Sequence, residues 1–224
     1  VQGALRVEMG QTYTVNVNTG IPANLGVVLG TIGLDSLVNQ LTGYAGITIG
    51  PNFSSINGLG VGSMTIGASH LNAFIGVGNP DFSSNLSTQD LTGFALQDVT
   101  LGMAILKPTL PISKLPKFTA LKATAGSFTT VGMSDFLDVH GTGISLEVNT
   151  GSKWPGKLGP PTLDFLHSLP GAANVPPGLA VAMPLNAAPV YLDFDAGQRI
   201  ALSINSATVK VADFVHLQGG IRIE

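Results

Sequence analysis

Apolar and polar residues alternate along much of the chain with the two-residue period of a half-buried β-strand. Three segments show the pattern most clearly. Their apolar positions are Tyr13, Val15 and Val17, then Ile144, Leu146 and Val148, and finally Ile200, Leu202 and Ile204. In each segment the intervening positions are small or polar. The pattern predicts long strands in an all-β fold.

The alternation in the third of these segments changes phase at one point. Val209 and Val211 fall on the parity opposite to Ile204. A turn or a β-bulge at Asn205–Ala207 is the simplest cause, because one extra residue moves every later side chain to the other face.

Helical signals are weak and short. Asp35–Leu41 and Thr162–Leu169 are the two predicted helices, and Pro170 and Gly171 would end the second one. Proline-rich stretches at 108–116, 155–161 and 176–177 predict connections between groups of strands. We therefore expect a single unit over residues 1–224: an elongated antiparallel β-sandwich or a solenoid-like twisted sheet, with long strands and few short helices.

A seven-residue motif occurs once near each end of the chain. Residues 2–8 are Gln-Gly-Ala-Leu-Arg-Val-Glu and residues 218–224 are Gln-Gly-Gly-Ile-Arg-Ile-Glu, so four of seven positions are identical at a constant offset of 216 residues. Coincidence is one explanation, because short amphipathic strands use few residue types. The alternative is that the chain is one period of a tandem array, or a subunit whose two ends occupy equivalent places in a polymer.

An internal repeat favours the second explanation. Residues 135–141 resemble residues 213–219, and each copy leads into a similar strand. The first strand continues to Val148-Asn-Thr-Gly151, and the N-terminal segment that follows the motif also ends in Val-Asn-Thr-Gly, at Gly20. We therefore predict that the ends of the chain are equivalent and form the junction between repeats. The predicted junction residues are Ala4, Leu5, Arg6, Val7, Glu8, Gly220, Ile221, Arg222, Ile223 and Glu224.

The composition narrows the class of protein. Only 10% of residues are charged, where about 25% is usual in globular proteins, and there is no Cys. The absence of Cys excludes disulfides and thiolate ligands. The net charge of −3, with dispersed lysines, argues against nucleic acid as a partner. No apolar run approaches the ~20 residues of a transmembrane helix. Without an initial Met, we expect the chain to begin inside a larger protein or after processing.

Several segments resemble the tandem repeats of very large bacterial surface or secreted proteins, which are adhesin-like or loosely described as haemolysin-type calcium-binding. These segments are 71–76, 93–107, 119–124 and 192–195. The resemblance implies an extracellular structural or adhesive array with no catalytic residues to carry over. The glycine- and aspartate-rich calcium nonapeptides of the toxin repeats are missing from this sequence.

Sequence motifs for catalysis are absent, so we expect no enzyme activity; a hydrolase on a β scaffold is the weakest alternative. The four histidines have no metal-ligand spacing and are interpreted as surface polar residues. The best ion candidate is calcium at Asp193 and Asp195, since alternate carboxylates before Gly197 can offer hard oxygens. The competing interpretation is a strand end followed by a turn that these side chains cap.

The leading hypothesis is a structural repeat or subunit of an extracellular bacterial fibre, adhesin stalk or matrix that associates head-to-tail with identical copies. Its partners would be neighbouring copies of itself. The alternative is a carbohydrate- or surface-binding adhesin domain, with calcium as a possible stabilising ion, that uses the loops 52–57 and 81–89.

Overall fold

The computed structural model describes residues 1–22, 34–154, 159–212 and 214–224. Most of them form long β-strands, joined by two short helices. The strands are β1 (Gln2–Asn18), β2 (Thr48–Ile49), β3 (Ser55–Val77), β4 (Thr92–Pro108), β5 (Phe118–Val131), β6 (Asp138–Gly151), β7 (Thr162–Asp164), β8 (Leu179–Val181), β9 (Val190–Leu192), β10 (Arg199–Val211) and β11 (Val215–Ile223). The helices are α1 (Asp35–Thr42) and α2 (Phe165–Ser168).

Seven long strands form one antiparallel sheet in the order β11-β10-β6-β5-β4-β3-β1. Neighbours in this sheet are also consecutive among the long strands in the chain, so the topology is a meander. Two short strands extend it: β7 pairs with the last three residues of β1, and β2 pairs with the start of β3. Strands β8 and β9 form a separate two-stranded sheet. The predicted all-β antiparallel fold with long strands and few short helices is confirmed.

One face of the meander, which we call the covered face, carries the main apolar core. Val15, Leu59, Leu106 and Phe118 lie on this face, and each is at most 1% exposed. The side chains that cover them come from α1, α2, β8, β9 and the loops between them, including Leu37, Trp154, Phe165, Val181 and Leu192.

Two contacts fix this layer on the sheet. The Trp154 indole N–H donates to the carbonyl oxygen of Thr19 at 2.9 Å, while its ring packs edge-on against Phe53 with centroids 5.4 Å apart. Asn149, 1% exposed, uses its side-chain amide to donate to the Leu163 carbonyl at 2.8 Å and to accept from the Leu163 N–H at 3.3 Å. A buried amide paired in both directions holds β7 in one position.

The predicted helices are confirmed only in part. Asp35–Leu41 is helical, as α1. In Thr162–Leu169 the first three residues instead form β7, because they pair with Asn16–Asn18 of β1. The helix α2 then begins at Phe165, where the Asp164 side chain accepts from the His167 N–H at 3.1 Å and caps it.

The predicted phase change at Asn205–Ala207 is confirmed. The register between β10 and β11 shifts between Ile204 and Ala207. The neighbouring strand is irregular at the same level, since Gly143 has φ +62° and an added Cβ there would meet the Asn205 side chain.

The predicted connection at 108–116 joins β4 to β5, and 176–177 lies between α2 and β8. Of the predicted connection at 155–161, residues 155–158 lie outside the described residues; 159–161 precede β7. No helix in the described ranges is long and apolar enough to cross a membrane.

Candidate functional site: the two edge strands

The two copies of the terminal motif lie in the two strands at opposite margins of the meander. Residues 2–8 belong to β1 and residues 218–223 belong to β11. Along Gln2–Val15, β1 has a strand partner on one side only among the described residues, and β11 pairs only with β10. Each motif copy therefore presents one backbone edge that pairs with no strand in the described part of the chain.

Both edge strands run in the same direction. Five strands separate them, and each pair of neighbours is antiparallel. Six reversals restore the original direction, so β1 and β11 are parallel to each other.

The motif copies also present the same side chains to the same face. Residues that pair directly across a sheet share a face. Starting from Arg6, the paired residues are Gly67, Gly102, Lys122, Glu147 and Ala201. Ala201 and Ser203 are two residues apart on β10, so their side chains point to the same face. Ser203 in turn pairs with Arg222 of β11. Arg6 and Arg222 therefore both project from the covered face.

The ion pairs inside the two motifs are alike. In β1 the Arg6 Nε donates to Glu8 Oε1 at 2.9 Å, and in β11 the Arg222 Nε donates to Glu224 Oε1 at 3.0 Å. The hydrogen bond from Arg222, together with its charge, lowers the pKa of Glu224, and the same contact raises the pKa of Arg222. Each of these arginines thus pairs with the glutamate two residues further along its own strand.

A chain of ion pairs continues from β11 towards the middle of the covered face. Arg199 lies 3.8 Å from Glu224 and also pairs with Glu147. Lys122 lies 3.8 Å from Glu147 and pairs with Asp193. Beyond the apolar core, this face is therefore polar and of mixed charge, a feature that the scattered sequence positions of these residues did not reveal.

The calcium candidates lie in the segment after β9. Asp193 accepts a hydrogen bond from Lys122, and Asp195 accepts from the Gly197 N–H at 3.0 Å. This is the capped turn of the competing interpretation. Within the described ranges, no group of three or more His, Asp or Glu residues is arranged to hold a metal ion. Calcium at Asp193 and Asp195 stays a prediction, and it would have to compete with the Lys122 ammonium group.

The two loops that would bind carbohydrate in the alternative hypothesis are far apart. Residues 52–57 lie at the start of β3, a strand of 23 residues, and residues 81–89 follow its end. Loop 81–89 is held by its own hydrogen bonds: Asp81 accepts from the Ser83 N–H at 2.9 Å, and bonds from Ser83 and Ser84 lower the pKa of Asp81. The structure does not bring these loops into one site.

The two internal repeat segments lie at the same end of the sheet. The segment 135–141 leads into β6, and the described part of 213–219 leads into β11; Asp213 itself lies outside the described residues. The Ala212 N–H donates to the Phe136 carbonyl at 3.0 Å, so the turns that precede the two strands touch. Similar segments thus precede strands of the same direction.

The fold and the edges define the class of this protein as an all-β chain built on one open antiparallel meander. Its comparison with known proteins adds no family: no protein-family model, no curated protein and no solved structure is significantly similar to the chain. The resemblance to bacterial surface repeats stays a prediction.

Proposed function

We propose that the chain is a structural repeat or subunit that extends its sheet head-to-tail, with the β11 edge of one unit meeting the β1 edge of the next. One observation carries the proposal. The repeated motif occupies both edges of the sheet, in strands of the same direction, with its Arg–Glu pair on the same face.

Two arrangements satisfy this geometry. In a covalent tandem array with a period of 216 residues, β11 of one unit is also β1 of the next, and this shared strand pairs with β10 on one side and β3 on the other. It is antiparallel to both, because β1 and β11 run in the same direction. In a non-covalent polymer, β11 and β1 of successive units lie side by side as parallel strands.

The composition of the edges supports pairing. Natural edge strands are usually protected by Lys, Pro, bulges or short length. Strand β1 has 17 residues, and neither β1 nor β11 contains Lys or Pro, although the pairing of each strand with its neighbour contains register shifts. A heterologous contact of this kind forms a filament when the rotation between successive units does not close a ring.

The proposal places the protein outside the cell or on a bacterial cell surface, as part of a fibre, adhesin stalk or matrix. The support is the low charge, the absence of Cys and the resemblance to bacterial surface repeats.

Electron microscopy of the native material tests the proposal. We expect filaments with an axial repeat of about 29 Å if six strands are added per unit and about 34 Å if seven are added, since strands are spaced by about 4.8 Å. A synthetic peptide of residues 215–224 should cap the β1 edge and shorten filaments of separate units, whereas a scrambled peptide should not. Dispersed particles at every concentration tested would overturn the proposal.

A further inference from the structure

The side of the meander opposite the covered face, which we call the open face, is aliphatic across all seven strands. Directly paired residues form its rows. The widest row is Leu5, Ala68, Leu101, Ala123, Leu146, Leu202 and Ile223. The next is Val7, Ile66, Met103, Leu121, Val148 and Ile200. Flanking rows contain Met9, Met64 and Ile105 on one side, and Val99, Ala125, Ile144, Ile204 and Ile221 on the other.

None of these side chains belongs to either buried apolar cluster formed by the described residues. Near the margins they are exposed: Val7 by 50%, Met9 by 73%, Ile200 by 57% and Ile223 by 59%. The central residues Met103, Leu121, Leu146 and Val148 are half-buried, and the small residues Ala68 and Ala125 are buried. Contiguous exposed apolar surface of this extent marks an interaction site.

We infer that the open face binds the open face of a second copy of this chain, so that two meanders pack as the halves of a β-sandwich. The geometry favours this occupant. The 21 residues of these rows, each covering about 7 Å by 4.8 Å, span roughly 700 Å² per copy. Stable protein–protein interfaces bury about 600–1,000 Å² per partner.

The chemistry of the face also favours a second copy. The four rows contain no charged residue, so two identical faces meet without like-charge repulsion; the charges of these strands, such as Lys122 and Glu147, lie on the covered face. A two-fold contact requires such self-complementarity. Surfaces that bind lipid bilayers combine Trp or Phe with Lys or Arg, and the four rows contain none of these.

Face-to-face pairing is independent of the edge pairing proposed above. The edges use backbone groups of β1 and β11, whereas the open face uses side chains of all seven strands. Loss of one contact therefore leaves the other available.

The test replaces one central residue, as Leu121→Lys. Sedimentation then compares the molecular mass of this variant in solution with that of the wild-type chain. A two-fold contact would bury two unpaired charges, so the dissociation constant of the dimer should rise by at least about 100-fold. The matched control is Thr124→Lys, which places the same charge on an exposed position of the same strand but on the covered face. Circular dichroism establishes that both variants keep their strands.

A second experiment looks for association that is regained when two variants of opposite charge are mixed. Mixing Leu121→Lys with Leu121→Glu should restore association that neither variant shows alone. A monomeric wild-type chain, or equal association in Leu121→Lys and Thr124→Lys, would overturn the inference. Flotation of the wild-type chain with phosphatidylcholine vesicles, lost in Leu121→Lys, would show a lipid surface instead of a second copy.

Different experimental results would contradict the edge contact and the face contact. If both hold, Leu121→Lys should still form filaments, but these should be one sheet thick. Filaments of unchanged thickness would contradict the face contact alone, and the absence of filaments from a dimeric wild-type chain would contradict the edge contact alone.

Discussion

The two faces of the meander differ in the size of their side chains, and the difference is clearest on β4. Gly102 and Ala104 point to the covered face, and the larger Leu101, Met103 and Ile105 point to the open face. The small residues allow β8 and β9 to approach closely: a Cβ added at Gly102 would lie 2.7 Å from the Val190 Cβ. Over residues 101–105 of β4, the larger apolar residues thus lie on the side that the described covering layer leaves uncovered.

The same contrast separates two regions of alternating sequence. Tyr13, Val15 and Val17 project into the covered core, while Ile144, Leu146 and Val148 project from the open face. Burial raises the pKa of Tyr13, with a further contribution from the charge of Glu8. Identical alternation patterns therefore serve two different surfaces, one closed within the chain and one available to a partner.

The largest expected difference between the faces comes from truncating one large side chain on each. Phe118→Ala empties a site that is 1% exposed and should lower the free energy of unfolding by about 3–5 kcal/mol. Leu121→Ala, three residues along the same strand, should cost about 1 kcal/mol in the monomer, because Leu121 is only partly buried. Urea titration of dilute protein measures both values. Equal costs would show that the open face is covered within the chain.

A smaller difference is expected from adding one methyl group to each face. Gly102→Ala must displace Val190 and should destabilise the chain by about 1–3 kcal/mol. The matched control is Gly62→Ala on β3, where the nearest atom to the added Cβ is the Lys107 carbonyl oxygen at 3.9 Å. Gly62→Ala should be neutral or stabilising by up to about 1 kcal/mol, since it restricts the unfolded chain. Thermal melting compares the two, and a cost for Gly62→Ala equal to that for Gly102→Ala would contradict the assignment of the faces.

The smallest effect is expected at the polar end of the covered face. Arg222 lowers the pKa of Glu224, so the pair stabilises the folded state above the ordinary glutamate range, and this contribution is lost as the pH falls through the lowered pKa. Glu224→Gln should therefore shift the melting temperature by less than about 2 °C at neutral pH, as expected for an exposed ion pair. The difference from wild type should vanish in acid. A difference that persists after Glu224 is protonated would exclude the ion pair as its cause.

Local sequence predicted the strand character of 13–17, 144–148 and 200–204, the phase change at Asn205–Ala207 and most of α1, because each depends on side-chain period or on neighbouring residues. It also identified the terminal motif and the alternation of Ile144, Leu146 and Val148. It misassigned the first turn of Thr162–Leu169, since the pairing of Thr162 with Asn18 is a contact with a residue far away in the chain.

Tertiary structure alone decided which face of each strand is covered and where the two motif copies lie. Alternation specifies that a strand has two unlike sides, but the choice of covered side depends on whether a second layer fits against it, as it does over Gly102. Likewise, the offset of 216 residues showed that the ends are alike, and only the order of strands placed Arg6 and Arg222 on opposite edges of one sheet. Both outcomes depend on packing between residues that are distant in sequence, which no local pattern encodes.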